Sequence, residues 1–305
     1  VSNPDFNNVR LLINADGSYQ DLSTYAHAVS KVGTAAIASG VVKYGDGSLA
    51  APALGDRFIT ADLPEVALGA SPFCLECWLY LTGNESYGRV FQGGPFWLNA
   101  NSWALIPRDL DVGGVLAFSC YNAVGAGVPN GRLLKATAPV PYGVWSHLAV
   151  TRDVDGVLRL FLNGVLEDVN LAHPTLLIDS GISNFIGLFA PVTPNGADRI
   201  TGYVDEARLV IGEPVYTTAF TPPDKLPTAA TDHYVASPGE PEGSALPVRV
   251  VVQRADTYET LGETSLIGPT GAWQVTFAYS GAVYVIGEFA DAREAIHGPL
   301  LPLAL

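Results

Sequence analysis

Residues 144–167, VWSHLAVTRDVDGVLRLFLNGVLE, leave the chain little choice of local structure. From Trp145 to Thr151 the side chains alternate, with Trp145, His147, Ala149 and Thr151 on one side and Ser146, Leu148 and Val150 on the other. That is the period of a strand, and apolar residues in both sets predict that both faces are covered. Asp153-Val154-Asp155-Gly156 then reverses the chain, because Asp caps its own turn and Gly tolerates positive φ. A second strand over 157–162 runs into Asn163-Gly164, the strongest short hairpin signal, since a type I′ turn needs positive φ at both central positions. Three consecutive antiparallel strands follow from these residues alone.

Composition extends this reading to the whole chain. The 305 residues include 32 Gly and 22 Pro, which break the sequence into short elements, and few stretches keep a helical period. The fold class expected is all-β: a large two-sheet antiparallel jelly-roll sandwich plus a small C-terminal β sandwich. A formal charge of −14 repels phosphate backbones and anionic lipid, so nucleic acid is not an expected partner. No apolar run approaches the ~20 residues that span a bilayer, so no membrane insertion is expected. The chain has no Met, begins at Val1 and shows no basic-plus-apolar leader, which reads as a nearly complete N-terminus without a secretion signal. Cys74, Cys77 and Cys120 are odd in number. Cys74 and Cys77 have redox or half-zinc spacing, but within a strand residues three apart face opposite sides, so buried apolar thiols are expected.

In chain order, VRLLINADGS opens with a strand and a turn, and glycine turns at Gly45, Gly47 and Gly55 join two short strands. PFCLECWLYLTG is a strong central strand, with Glu76, Trp78 and Tyr80 on one face and Leu75, Cys77, Leu79 and Leu81 on the other. About a dozen strands are expected before Pro227, without a repeat. The division is 1–227 for the jelly roll, 228–246 for a linker rich in small residues, Pro and acid, and 247–305 for a small sandwich of four or so strands with an apolar tail.

LLINADGS with Asp21 and His27, KYGDGSLA, GDRFITA, FCLECWLYL, WSHLAVTRDVDGVLRLFLNGV and GYVDEARLVIGEPVYTTAFTPP occur in an order that resembles the concanavalin A-like, laminin G-like jelly-roll domain, especially that of bacteriophage tail and other virion proteins. GETSLIGPTGAWQVTF in the small domain resembles carboxypeptidase-regulatory or transthyretin-like sandwiches. These resemblances imply a non-enzymatic virion structural protein, made in the host cytoplasm and placed in the tail, a tail fibre or the capsid exterior. Its implied partners are other virion proteins, further copies of itself (a trimer suits fibres) and a host surface glycan. The competing reading is a carbohydrate-binding module of a bacterial surface or secreted protein. The resemblance also implies that Asp205 ties the last strand to the loop at Asp16-Gly17, either by accepting hydrogen bonds or through a structural calcium, the one cofactor expected.

Catalysis finds no support in the residues. Glycan hydrolysis needs two carboxylates converging on one cleft, and adjacent Asp205 and Glu206 are expected on opposite sheet faces. No nucleophile elbow, zinc-protease motif or phosphate loop occurs, and the five His are scattered, so they read as loop or structural residues. The glycan-binding candidates are Trp97, Asn99, Asn101, Trp103, Tyr121 and Asn122, which supply stacking faces and amides close together in sequence. Leu300, Leu301, Leu303 and Leu305 form an apolar tail with two readings: docking on another surface in assembly, or closing an edge of their own sandwich.

Overall fold

A computed structural model describes residues 4, 6–53, 55–60, 63–85, 88–94, 102–120, 131–171, 178, 186–189 and 199–226, then the strands between 233 and 304. The chain divides into two compact units, made up mainly of Asn7–Thr228 and Ala229–Leu305. Every regular element longer than a single 3-10 turn is a strand among the described residues, and no helix is long and apolar enough to cross a membrane.

Among the described residues fifteen strands precede Leu226, more than the dozen expected, because three-residue strands carry no legible period. They are β1 (Val9–Ile13), β2 (Val29–Val32), β3 (Ala36–Ala38), β4 (Ser48–Ala51), β5 (Arg57–Thr60), β6 (Phe73–Glu85), β7 (Phe91–Gly93) and β8 (Trp103–Asp109). The series continues with β9 (Val115–Cys120), β10 (Arg132–Lys135), β11 (Trp145–Arg152), β12 (Leu158–Leu162), β13 (Val165–Asn170), β14 (Ile186–Leu188) and β15 (Arg199–Ile211). One sheet has the order β13-β12-β11-β6-β15-β4-β3, with β1 also on β15, and the second has the order β10-β9-β8-β7-β14-β5-β2. All pairings are antiparallel. The predicted β11–β12–β13 meander forms one side of the larger sheet.

The core lies between the sheets. Leu75, Cys77, Leu79 and Leu81 of β6 enter it with Phe58, Phe91, Trp103 and Phe118 of the facing sheet, all fully buried. Each leucine contributes about 1.5–3 kcal/mol of transfer free energy there. The three cysteines are buried free thiols, and burial pushes the Cys74 and Cys77 thiols well above their usual range.

Where β10 and β13 end their sheets, side chains replace the missing backbone ladder. Asp168 accepts from the Lys135 N–H at 2.9 Å, Glu167 from the Thr137 N–H at 2.9 Å, and Asn170 donates to the Leu133 carbonyl at 3.0 Å. Acidic side chains committed in this way blunt an edge against foreign strands.

In the second unit, β16 (His233–Ser237), β17 (Arg249–Arg254), β18 (Thr260–Thr264), β19 (Trp273–Phe277), β20 (Val283–Glu288), β21 (Glu294–Leu300) and β22 (Leu303–Ala304) form sheets β19-β16-β22 and β18-β17-β20-β21. Strand β16 lies inside the stretch read as a linker. Its flanking Pro and Gly dominate the composition, while the β-forming Tyr234 and Val235 find a partner ladder in β19. Leu300 ends β21 and Leu303 pairs with Tyr234, so the backbone of the tail extends the sheet of its own unit. Leu301 and Leu305 lie outside the described residues.

After β15 the chain crosses back over the outer face of the larger sheet as a strap, residues 212–226. The strap is seated on the Asn163-Gly164 turn, where the Phe220 N–H donates to the Gly164 carbonyl at 2.9 Å. Gly164 has φ +76°, and a Cβ there would sit 1.9 Å from the Phe220 oxygen. Gly164→Ala is therefore expected to lower stability by about 1–3 kcal/mol through strain and an unseated strap. A urea unfolding curve reads this as a lower midpoint, and an unchanged midpoint would show that the strap does not depend on the turn.

Candidate functional site

Cross-strand register arranges the outer face of the larger sheet in rows across β11, β6 and β15. Trp145, Tyr80 and Tyr203 are paired, then His147, Trp78 and Asp205, then Ala149, Glu76 and Arg208. Glu76 is fully buried. Its Oε1 accepts from Arg208 Nε at 2.8 Å and also from Nη2, and its Oε2 accepts from Tyr216 Oη at 2.7 Å and His147 Nε2 at 3.1 Å. Tyr216 belongs to the strap, where it stacks on Phe220 with ring centroids 3.6 Å apart. His147 meets Phe220 and Trp78 edge-on, which excludes water from the cluster. Burial pushes the Glu76 carboxyl up, but Arg208, His147 and Tyr216 outweigh it and hold it down at about 2.

One row along, β15 carries an irregularity between Asp205 and Arg208, with Glu206 at φ +49°. The bulge overturns the expectation that Asp205 and Glu206 face opposite sides, because an extra residue breaks strict alternation. Both carboxylates meet segments lying on the outer face. Asp205 accepts from the Lys43 and Tyr44 N–H groups at 3.1 Å each and from the Glu206 N–H at 2.9 Å, and Glu206 accepts from the Leu226 N–H at 2.8 Å. Asp205 thus ties the last strand to the loop at 43–44, not to Asp16-Gly17. Asp16 is engaged by Lys225 Nζ at 2.6 Å and by the Asp46 N–H at 2.7 Å. As placed, Asp16 and Asp205 do not fit a calcium site: donor hydrogens and an ammonium group occupy the positions a cation would take. Among the described residues no group of three His, Cys, Asp or Glu is arranged to hold a metal. Burial pushes Asp205 up to about 6 and Glu206 up to about 7, with their neighbouring charge adding to the rise in Glu206.

Of the six glycan candidates, Trp97, Asn99, Asn101, Tyr121 and Asn122 lie outside the described residues. Trp103 is fully buried, packed on Phe118 and lying against Gly93, where any side chain would overlap its indole. Its ring is core, because at alternate positions β8 points inward, and it presents no face to a sugar. In the first row the rings are partly open to solvent: Trp145, Tyr80 and Tyr203 are half-buried and meet edge to face at 5.6 and 6.0 Å. Beside them Thr82 Oγ1 and Thr201 Oγ1 lie 3.1 Å apart.

Residues 55–222, which include the bulge and most of the strap, match the family model of the concanavalin A-like lectin/glucanases superfamily. The chain belongs to this superfamily. Among solved structures, this superfamily member is similar to domain 4 of AbnA, a GH43 extracellular arabinanase from Geobacillus stearothermophilus, in complex with arabinotriose. The identity is 17% and the TM-score 0.50, over 67% of this chain and 92% of that one. It is also similar to the botulinum neurotoxin serotype D binding domain, at 11% identity and TM-score 0.44, over 69% of this chain and 49% of that one. The binding domain of Paraclostridial Mosquitocidal Protein 1 aligns at 12% identity and TM-score 0.46, over 93% of this chain and 64% of that one. A search of curated proteins returned no match.

The Glu76 cluster went unread in the sequence, although the signal existed: a lone Glu in FCLECWLYL and a lone Arg in EARLVI are charges inside apolar strands, which are buried only when paired. Replacing Arg208 with Met leaves the Glu76 charge uncompensated and is expected to cost about 3–5 kcal/mol. Calorimetry checks this, and a melt unchanged by the substitution would remove the pair from its central role. The pH profile follows by linkage. Glu76 is depressed, so its contribution is present above the ordinary carboxylate value of 4.5 and disappears as pH falls through about 2. Asp205 and Glu206 are raised, so theirs is full below the ordinary values and is lost as pH rises through about 6 and about 7. The melting temperature is expected to peak near about pH 5. Glu206→Gln should flatten the decline toward pH 8, and an undiminished decline would assign it to other groups.

Proposed function

We propose that the chain is a non-enzymatic recognition module whose large unit binds a glycan and which serves as an exterior component of a bacteriophage virion. The observation that carries the non-enzymatic reading is the state of the carboxylates on the outer face. Glu76 is buried with both oxygens engaged, and Asp205 and Glu206 are buried against the loop at 43–44 and the strap, so among the described residues no two carboxylates converge on an open cleft as glycan hydrolysis requires. Glycan binding is supported by the arabinanase domain of like fold, seen in complex with arabinotriose. Placement in a virion is supported by the 202–223 block, in which the last strand and its Tyr-x-x-x-Phe-x-Pro-Pro exit resemble phage tail domains. A homo-oligomer, with a trimer favoured, is the form such a component takes.

The second reading is a carbohydrate-binding module of a bacterial surface or secreted protein, favoured by the same arabinanase domain. Light scattering on the native full chain separates the two: a trimer or larger closed oligomer is expected of the virion component, and a monomer with tight sugar binding would move the assignment to the isolated module. A glycan array carrying bacterial surface polysaccharides is expected to show binding without release of reducing ends. Hydrolysis of a bound glycan would overturn the non-enzymatic reading.

A further inference from the structure

We infer that Trp145, Tyr80 and Tyr203 form the platform on which a neutral oligosaccharide is bound, an inference that rests on the glycan reading above and gives it a place. The three residues are direct cross-strand partners on β11, β6 and β15, so their side chains share one face in a single file. Strands are spaced about 4.8 Å apart, so the file is about 10 Å long, close to the length of a disaccharide. Beyond Tyr203 the row continues with Ala50 on β4, which is buried, and Ala36 on β3, which is exposed, so the rings form the solvent-facing part of the file next to small side chains.

The chemistry of the file fits a sugar better than another apolar surface. Each residue is half-buried, and each joins an apolar ring to a polar tip. Among the described residues the Tyr80 and Tyr203 hydroxyls and the Trp145 indole N–H engage no protein partner. The Thr82 and Thr201 hydroxyls, two positions further along the strands, add polar atoms at the rim. A sugar ring offers the complement, a C–H face for stacking and hydroxyls around its edge. Edge-to-face contacts at 64° and 72° already hold the rings in place, so little side-chain freedom is lost on binding. The ligand is neutral because neither the file nor its threonine rim contains a charged side chain, and the chain's formal charge of −14 repels acidic sugars. Among the described residues the strap makes contacts with Glu76, Thr151 and the Gly164 turn, and the three rings of the file stay half-buried.

The test is isothermal titration of the native full chain with arabinohexaose, xylohexaose, cellohexaose and maltohexaose, and with hexagalacturonate as the acidic control. One or more neutral hexasaccharides should bind, and Tyr203→Leu, which keeps apolar bulk but removes the flat ring, should weaken binding at least tenfold with an unchanged melting temperature. Trp145→Ala should do the same, and if it fails to fold, Trp145→Leu replaces it. A neutral sugar bound equally well by the wild type and by both folded variants would remove the platform and leave the glycan reading standing. No binding to these probes or to any glycan on the array would remove both. Stronger binding of hexagalacturonate would overturn the choice of a neutral ligand. Loss of oligomer mass in Tyr203→Leu, with sugar binding intact, would make the file a subunit contact and overturn the inference.

Discussion

The larger sheet is organised by one buried charge. Glu76 is fully buried at the middle of the outer face, and an ionised carboxylate in that position is tolerable only when its oxygens are filled by donors. Arg208 supplies them from the neighbouring strand, His147 from the other neighbour and Tyr216 from the strap, so the one carboxylate links β6, β11, β15 and residues 212–226. Such a pair adds little net stability over an apolar replacement. Its effect is on specificity, because shifting any of the three strands by one residue would strand a charge.

The division of the outer face follows from that constraint. To cover Glu76 the strap must lie over the rows from Thr151 to His147, and it is held by the Thr151 hydroxyl on the Tyr216 carbonyl and by the Gly164 turn. To leave the sheet and later return to Glu206 through the Leu226 N–H, the chain uses a bulge that puts two acids on one side. Those acids are favoured when protonated, whereas Glu76 is favoured when ionised, so opposite ends of the pH scale strain neighbouring rows. Among the described residues the strap hydrogen-bonds to the ion cluster, to Thr151 and to the Gly164 turn, while the aromatic row stays half-buried, so the face combines a sealed ion cluster with partly exposed rings.

Much of the fold was readable because local signals agreed. Alternation in FCLECWLYL assigned Leu75, Cys77, Leu79 and Leu81 to the core and Glu76, Trp78 and Tyr80 to the outer face, and the Asn163-Gly164 turn set the meander. The candidate site was much less legible. The glycan candidates lie close together in sequence, but a strand places sequence neighbours on opposite faces, and Trp103 is in the core. The residues that do share a surface, Tyr80, Trp145 and Tyr203, are separated by tens of positions and meet only through register. The shared side of Asp205 and Glu206 is hidden for a related reason: a bulge is a one-residue event that periodicity does not register.

By itself, the sequence determined the strand class, the meander, and the inward and outward sets of the central strand. These depend on period-two patterning and turn chemistry, which act over a few residues. Tertiary structure alone decided which charge pairs with which, that Asp205 holds the loop at 43–44, that β16 forms within a segment of linker-like composition, and which aromatics stay open to solvent. Each of those outcomes depends on long-range register and on where the strap crosses the sheet, and the distance between partners in the chain says nothing about either.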